Sequence, residues 1–335
     1  FIEPFASYGF NRAHAACYAM IGYETAYLKA HFPTELMCAL MTSEQNDIER
    51  IAVLVDECRQ MEIEVLPPDI NESLENFTVI KNGFIRFGLI AIKNVGANIV
   101  FAIVQERKQN GPFKSISEFI ERVQNKDLNK KSLESLIKCG AIDELGERSQ
   151  LLANLETLLS FGREMQASKN NGQISLFSNL GDKTAKNGFS PQLKFQPSPP
   201  ASKAECLAWE KELLGLYISE HPIKEFQEML KKTALLPSQV STKSVGRNVK
   251  VAGVISKIKK IITRSGKPML FVTIEDDKSK IEVLVFPKTL ERTAFFWQEE
   301  KIIIVSGRLD DKDGSLKVLC EETQEINQEH LKNNN

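Results

Sequence analysis

The sequence has almost no net charge: 43 Lys and Arg residues stand against 44 Asp and Glu, leaving a formal −1 at pH 7. Nothing about the whole chain therefore demands a polyanionic partner, and any phosphate binding must come from local patches. Apolar runs of bilayer length are missing, so no membrane span is expected. The N-terminus lacks the pattern of a secretory signal. The six cysteines (Cys17, Cys38, Cys58, Cys139, Cys206, Cys320) are scattered, and none forms a C-x-x-C pair. Only His14, shortly before Cys17, stands at zinc-ligand spacing from one of them. A structural site needs four ligands, so no metal site is expected. Reduced, buried thiols in a cytoplasmic protein are the better reading. An initial Met is missing too. The chain opens on Phe1 inside an apolar, aromatic stretch, which reads as a fragment or a cleaved product. No complete active site emerges, and no residue is assigned a catalytic role.

What is present is ordinary soluble globular composition, 42% hydrophobic and 26% charged over 335 residues, enough for two or three domains. Residues 1 to about 65 read as helical: Ala13 to Leu28, a second helix from Pro33 with Leu36, Leu40 and Met41 at helical spacing, and a third from Ile48 to about Met61 with Ile51, Val55 and Cys58 on one face. Leu66-Pro67-Pro68-Asp69 breaks the pattern. Phe77 to Ile80 and Gly83 to Phe87 suit a hairpin turning at Asn82-Gly83. Short helical pieces fill 86 to 160. From 161 to about 203 the composition shifts to Gln, Ser, Asn, Gly, Lys and Pro, a flexible linker by composition. Ala204 to Ser219 is expected as a helix, and Asn248 to Cys320 as a block of strands.

Two short motifs stand out in the helical region. Leu89 to Ile99 places Lys93, Asn94, Val95 and Gly96 in a tight turn before a helix whose buried face is Ile99, Ala102 and Ile103. Such a turn aims backbone N–H groups at a phosphate, helped by the helix dipole, and reads no base. Gly96 tolerates a left-handed turn freely and Asn94 is next best. A second candidate is Leu128 to Leu133, with Leu136, Ile137 and Gly140 closing the helix and Lys130, Lys131 and Lys138 near a backbone. Ordinary αα-hairpins with solvated lysines are the competing reading. Two motifs in succession favour a tandem helix-hairpin-helix region that grips DNA.

The strand block reads as Asn248 to Ser256 (Val249, Val251 and Ile255 on one face), a turn at Thr263 to Lys267, Pro268 to Ile274, Ile281 to Phe286, a helix over Thr289 to Trp297, then Ile302 to Arg308 and Leu316 to Cys320. Three strands, a helix and two strands is the order of a five-stranded OB-fold barrel. The basic residues Lys257, Lys259, Lys260, Arg264 and Lys267 fall in its expected first loop, and Phe271 could stack a base. Alternatively Phe271 is core and the lysines are merely solvated, and OB-folds also bind proteins. Inside the linker, Gln173, Ser175, Leu176 and Phe177 belong to a short apolar peptide, Gln173 to Phe177, suited to a shallow apolar pocket. Tethering makes so short a peptide useful; packing back on its own domain is the alternative.

Together these residues resemble a known family. Tyr8-Gly9-Phe10-Asn11-Arg12-Ala13-His14-Ala15-Ala16-Cys17-Tyr18, Tyr27-Leu28-Lys29-Ala30-His31-Phe32-Pro33, Leu66-Pro67-Pro68-Asp69-Ile70-Asn71, and Trp209 to Tyr217 followed by His221-Pro222 are similar, in unbroken order, to the rear portion of the C-family replicative DNA polymerases, the bacterial DNA polymerase III alpha subunits. The resemblance implies a multidomain α+β chain: the end of a helical fingers domain (1–68), a helix-hairpin-helix domain (69–160), a flexible linker with a clamp-binding peptide (161–203), a helical connector (204–240), an OB-fold domain (241–325) and a disordered tail (326–335). It implies that Gln173 to Phe177 meets the β sliding clamp, that the hairpins hold primer-template duplex, that the barrel meets single-stranded template, and that other replicative holoenzyme subunits are partners. Arg12 and His14 fall in the fingers, where a buried helix-packing role for His14 is equally open. The family's palm, whose carboxylates hold magnesium for nucleotidyl transfer, would lie before Phe1, so this chain is expected to be inactive alone and to hold no cofactor. Two departures stand out. Asn94 replaces the family's usual Gly in the first hairpin, and the chain stops shortly after the barrel. The competing readings are a non-enzymatic DNA-binding scaffold and the error-prone paralogue of the same polymerase.

Overall fold

The computed structural model describes residues 12–171, 193, 195–312 and 314–326, the side chains of 167–171 excepted. The chain divides into two compact units, Phe1–Ile218 and Ser219–Asn335.

In the first unit, α1 (Arg12–His31) buries none of its residues. Helix α2 (Pro33–Ser43) starts on a proline, whose missing N–H would be unsatisfied at that position anyway, and buries Met37, Cys38 and Met41. Asp47 caps α3 (Ile48–Gln60) by accepting from the Arg50 amide, and Ile51, Leu54, Val55 and Cys58 form its buried face. The expected hairpin is present as β2 (Thr78–Lys81) and β3 (Phe84–Arg86), turning where Gly83 takes φ +81°. A third strand, β1 (Glu64–Leu66), lies parallel to β3. Three residues are too few to show alternation, so β1 had no sequence signal.

Helices α4 (Ala97–Asn110), α5 (Ile116–Arg122), α6 (Lys130–Lys138), α7 (Arg148–Ala153) and α8 (Leu155–Asn171) follow. One core joins them to the small sheet through Ile85, Phe87, Ile103, Phe119, Leu136 and Leu158. Helix α8 continues to Asn171, well into the stretch whose composition reads as linker. The proline-rich stretch before α9 (Lys203–Leu214) is also held. Buried Asn154 donates to the Gln196 carbonyl at 2.9 Å and accepts from its amide at 2.7 Å, and the Ala201 amide reaches Glu147 Oε1 at 2.8 Å. Phe195 packs on the core. Prolines leave such a segment few N–H donors, so a handful of side-chain bonds suffices to fasten it. Helix α9 stops at Leu214 rather than Ser219, because Gly215 turns the chain with φ +79°. A Cβ there would come within 1.9 Å of Ile48 Cγ2. Leu216 and Tyr217 are buried all the same, but off the helix.

The second unit opens with short turns and α10 (Gln227–Leu230), whose Ile223, Phe226, Leu230 and Leu236 cover the barrel at Ala252, Val254, Ile304 and Ile326. The barrel consists of β4 (Asn248–Ile262), β5 (Pro268–Glu275), β6 (Lys280–Val285), α11 (Pro287–Thr293), β7 (Ile302–Asp310) and β8 (Lys317–Ile326), closed in the order β4-β5-β6-β8-β7. This is the expected three strands, helix and two strands. Val251, Ile255, Val272, Ile274, Val283 and Val305 are buried inside it.

Two strands outrun the sequence reading. β4 pairs with β7 through Val254 and then with β5 out to Ile262, so the hydrogen-bond ladder carries it past Ser256. β8 stays paired with β7 to Ile326, which is buried, across one register shift between Ser306 and Gly307. The acid-rich stretch from Glu321 to Ile326 is therefore strand, past Cys320, the expected end of the last strand.

All six cysteines are free. Cys38, Cys58, Cys139 and Cys320 are buried as expected, whereas Cys206 is half-buried and Cys17 exposed. Burial pushes the Cys58, Cys139 and Cys320 thiols up to about 12. No helix of the described residues is long and apolar enough to cross a membrane.

Candidate nucleic-acid interface

The first hairpin turns as the sequence suggests, but with the roles of two residues exchanged. Asn94 takes the left-handed conformation at φ +69°, while Gly96 is extended at φ −80° and serves as N-cap of α4. Asn is the non-glycine residue that accepts this region most readily. Its Nδ2 donates to Ser135 Oγ on α6 at 3.3 Å, tying the first hairpin to the second. The Lys93 amide donates to the Leu213 carbonyl at 3.1 Å, which fastens the turn to α9. Val95 is buried, so it offers a ligand only its backbone. No side chain caps α4, and a Cβ on Gly96 would meet nothing within 4 Å. The N-terminus of this 14-residue helix is thus exposed at Gly96, Ala97 and Asn98 beside exposed Lys93, an arrangement suited to an anion.

The second hairpin differs. Asn129 caps α6 by accepting from the Lys131 and Ser132 amides, and the Ser132 hydroxyl accepts from the Asn129 amide in return. The sites a phosphate would use are thereby filled from within the chain. Lys131 is exposed. Lys130 reaches Glu156 Oε1 at 2.7 Å, and Lys138 reaches Glu134 Oε1 at 2.6 Å. Lys138 is also eight residues along α6, roughly 12 Å from Lys130, so the three lysines do not form one patch. Gly140, at φ +81°, ends α6 with its amide on the Ile137 carbonyl and the Ala141 amide on the Leu136 carbonyl, a Schellman closure.

On the barrel, the basic run is strand rather than loop. Lys257 stands opposite Thr273, and Lys259 opposite Phe271. Phe271 in turn stands opposite Leu284 on β6, Leu284 opposite Leu319 on β8, and Leu319 opposite Arg308 on β7. Phe271 is half-buried, and its neighbours Leu270 and Val272 supply the core. Since side chains alternate across a strand, Lys257, Lys259, Phe271, Thr273 and Leu284 share the outer face. Lys260 pairs with Leu270 and falls on the opposite face of the hairpin. Arg264 is exposed in the β4–β5 turn, whereas Lys267 lies 3.6 Å from Glu291 Oε1 of α11. Leu284 and Glu282 went unnoticed in the sequence, although the alternation of Lys280 to Val285 marks both as outward.

Arg12 and His14 are exposed on α1 within this chain, His14 with its ring 4.4 Å from that of Tyr18. Gln173, Ser175, Leu176 and Phe177 lie outside the described residues. Among the described residues no three His, Cys, Asp or Glu side chains group so as to hold a metal ion.

Comparison with known proteins agrees with this division. A helix-hairpin-helix motif family model matches residues 62–151, and an OB-fold nucleic acid binding domain model matches residues 249–326. The DNA polymerase III subunit alpha of Saccharopolyspora erythraea is 37% identical over 95% of this chain and 27% of its own length. Those of Vibrio cholerae (34%, covering 97% of this chain and 28% of theirs) and Thermus aquaticus (36%, 96% and 26%) are similar. Over nearly its whole length, the chain is homologous to the DNA polymerase III alpha subunit. The order of the two matched regions fits a C-terminal portion of such a subunit. The chain spans about a quarter of the length of the curated relatives it matches. Among solved structures, a domain of replication protein A from Methanococcus maripaludis matches 27% of this chain and 90% of that one, at 14% identity and a TM-score of 0.23.

Proposed function

We propose that this chain is the DNA-holding, clamp-tethering portion of a replicative DNA-directed DNA polymerase. The homology to DNA polymerase III alpha over nearly the whole chain carries the reading. The geometry supports a division of labour. The first hairpin, with its uncapped helix and Lys93, suits a duplex phosphate; the second is self-capped and contributes mainly Lys131 and packing. The outer face of the barrel, with Lys257 and Lys259 beside Phe271 and Leu284, suits a single strand: cations for the backbone and an apolar wall for a base. Gln173 to Phe177 is the tether to the β sliding clamp, and the other holoenzyme subunits are further partners. Magnesium-dependent nucleotidyl transfer belongs to the palm of the complete polymerase.

Two assays test this. Fluorescence anisotropy of a labelled oligo-dT with the full chain is expected to show salt-dependent binding that weakens in K259A and F271A. Primer extension by the same chain is expected to yield no product, and template-directed synthesis would overturn that part. For the tether, Q173A/F177A is expected to abolish retention on immobilised sliding clamp while oligo-dT affinity is unchanged. Undiminished retention would remove the role assigned to the peptide.

A further inference from the structure

Glu282 is a carboxylate on the face just described. It stands opposite Thr273 on β5, which stands opposite Lys257 on β4, and it is two residues from Leu284 on the same strand. Its side chain therefore projects from the outer face, about 8 Å from Phe271 by strand spacing and rise. An ionised carboxylate that close to a bound strand would repel phosphate, because the separation is no more than a Debye length at physiological salt. The fold places a cation on it. Lys317 is the direct neighbour of Glu282 across the parallel β6–β8 pair, with Nζ 3.3 Å from Oε2. Lys317 keeps 19% of its side chain exposed and Glu282 35%. The lysine stem is thus largely covered and its charge is directed at the carboxylate.

We propose that Lys317 is a positioning residue that neutralises Glu282, so that the outer face of the barrel accepts an anionic single strand. The proposal rests on the reading of that face as a nucleic-acid surface. Lys317 acts through Glu282 rather than by touching phosphate. The motivating geometry is a carboxylate beside the apolar wall and a cation on the next strand in register with it; Asp310 of β7 stands opposite the same lysine on its other side. Two functions follow for one contact. It fixes the β6–β8 edge, which pairs over only Glu282 to Leu284 and Lys317 to Leu319, and it sets the sign of the field at the face.

The test is a charge cycle on the full chain, read by anisotropy of fluorescein-labelled oligo-dT longer than about 16 nucleotides, the upper end of the site size of one such barrel. K317M retains an apolar stem over the barrel and removes the charge. It is expected to weaken binding about fivefold at low salt, a gap that narrows at high salt. E282Q alone is expected to bind as well as the parent chain or better. The double variant E282Q/K317M is expected to recover the affinity of E282Q. A double variant as weak as K317M would overturn the proposal, since Lys317 would then act on the ligand directly or through the fold. Thermal melts of all three separate the last case: a merely structural role lowers the melting temperature of K317M and is not cured by E282Q. K259A and F271A serve as controls for the underlying reading. If neither weakens binding, the face itself is not the nucleic-acid site and both readings fall. If both weaken it and the double variant is not rescued, only the masking role falls.

Discussion

Arg148 on α7 reaches Glu210 on α9, Nη2 to Oε1 at 3.2 Å, and Glu210 is 1% exposed. The same guanidinium holds Asp143 through two bonds, at 2.9 and 2.7 Å, and donates to the Lys138 carbonyl at 3.1 Å. One side chain thus ties the end of the second hairpin helix to the helix that anchors the first hairpin. Burial alone would lower the Arg148 pKa, but Asp143 and Glu210 outweigh it and hold the group more firmly charged than usual.

Removing Arg148 leaves Glu210 buried without this partner. R148A is expected to cost about 3–5 kcal/mol in the first unit, as breaking a buried pair from one side does. The replacement R148M/E210M, which removes both charges, should recover much of the loss. Urea unfolding followed by circular dichroism measures both, and equal stability of R148A and the parent chain would contradict this account.

Asn94 tests the backbone of the first hairpin. At φ +69° a β-branched residue is strained, so N94V is expected to lose about 1–3 kcal/mol. N94G should stay within about 0.5 kcal/mol of the parent, because glycine accepts the conformation and the bond given up to Ser135 is long, at 3.3 Å. The ordering of the two variants in thermal melts is the check.

The lysines of β4 should separate by face. Each single-strand phosphate neutralised adds about 0.7 to the salt slope of binding. K257A/K259A is therefore expected to flatten the slope by about 1.4, and K260A, on the other face of the hairpin, by much less. Titrations of oligo-dT across a salt series measure this, and a larger effect from K260A would mean that the strand runs along the opposite side.

The buried thiols give a pH dependence with a definite sign. Burial pushes the Cys58, Cys139 and Cys320 thiols up to about 12 in the folded chain, from an ordinary 9.0. Their raised folded pKa values give a contribution fully present below pH 9, lost as the pH climbs from about 9 through about 12, at about 1.4 kcal/mol per pH unit for each thiol. Under native conditions at pH 8 a thiol reagent should modify exposed Cys17 first and these three last. Mass spectrometry of the labelled protein checks the order.

Local pattern carried much of the architecture. The alternation of Asn248 to Ile255 and of Lys280 to Val285 declares strands, Asn82-Gly83 declares a turn, and the order of strands and helix declares the barrel. These depend on neighbours a few residues apart, which a sequence displays directly. The helix-hairpin-helix and OB-fold regions were legible for the same reason. What was not legible depends on partners far along the chain. The proline-rich segment before α9 reads as linker, yet Asn154, some forty residues away, fastens it.

The face of each lysine was equally hidden. Lys257, Lys259 and Lys260 are neighbours in sequence, but the β4–β5 ladder, with its irregularity between Ile255 and Lys257, decides which of them shares a face with Phe271. The second hairpin shows the same division. Its lysines are visible in the sequence, while the ion pairs of Lys130 and Lys138, and the filling of the α6 amides by Asn129, exist only once the chain is folded. Composition and periodicity determined which elements form. Register, capping and long-range pairing, which tertiary contacts alone set, decided which charged groups are left to meet a ligand.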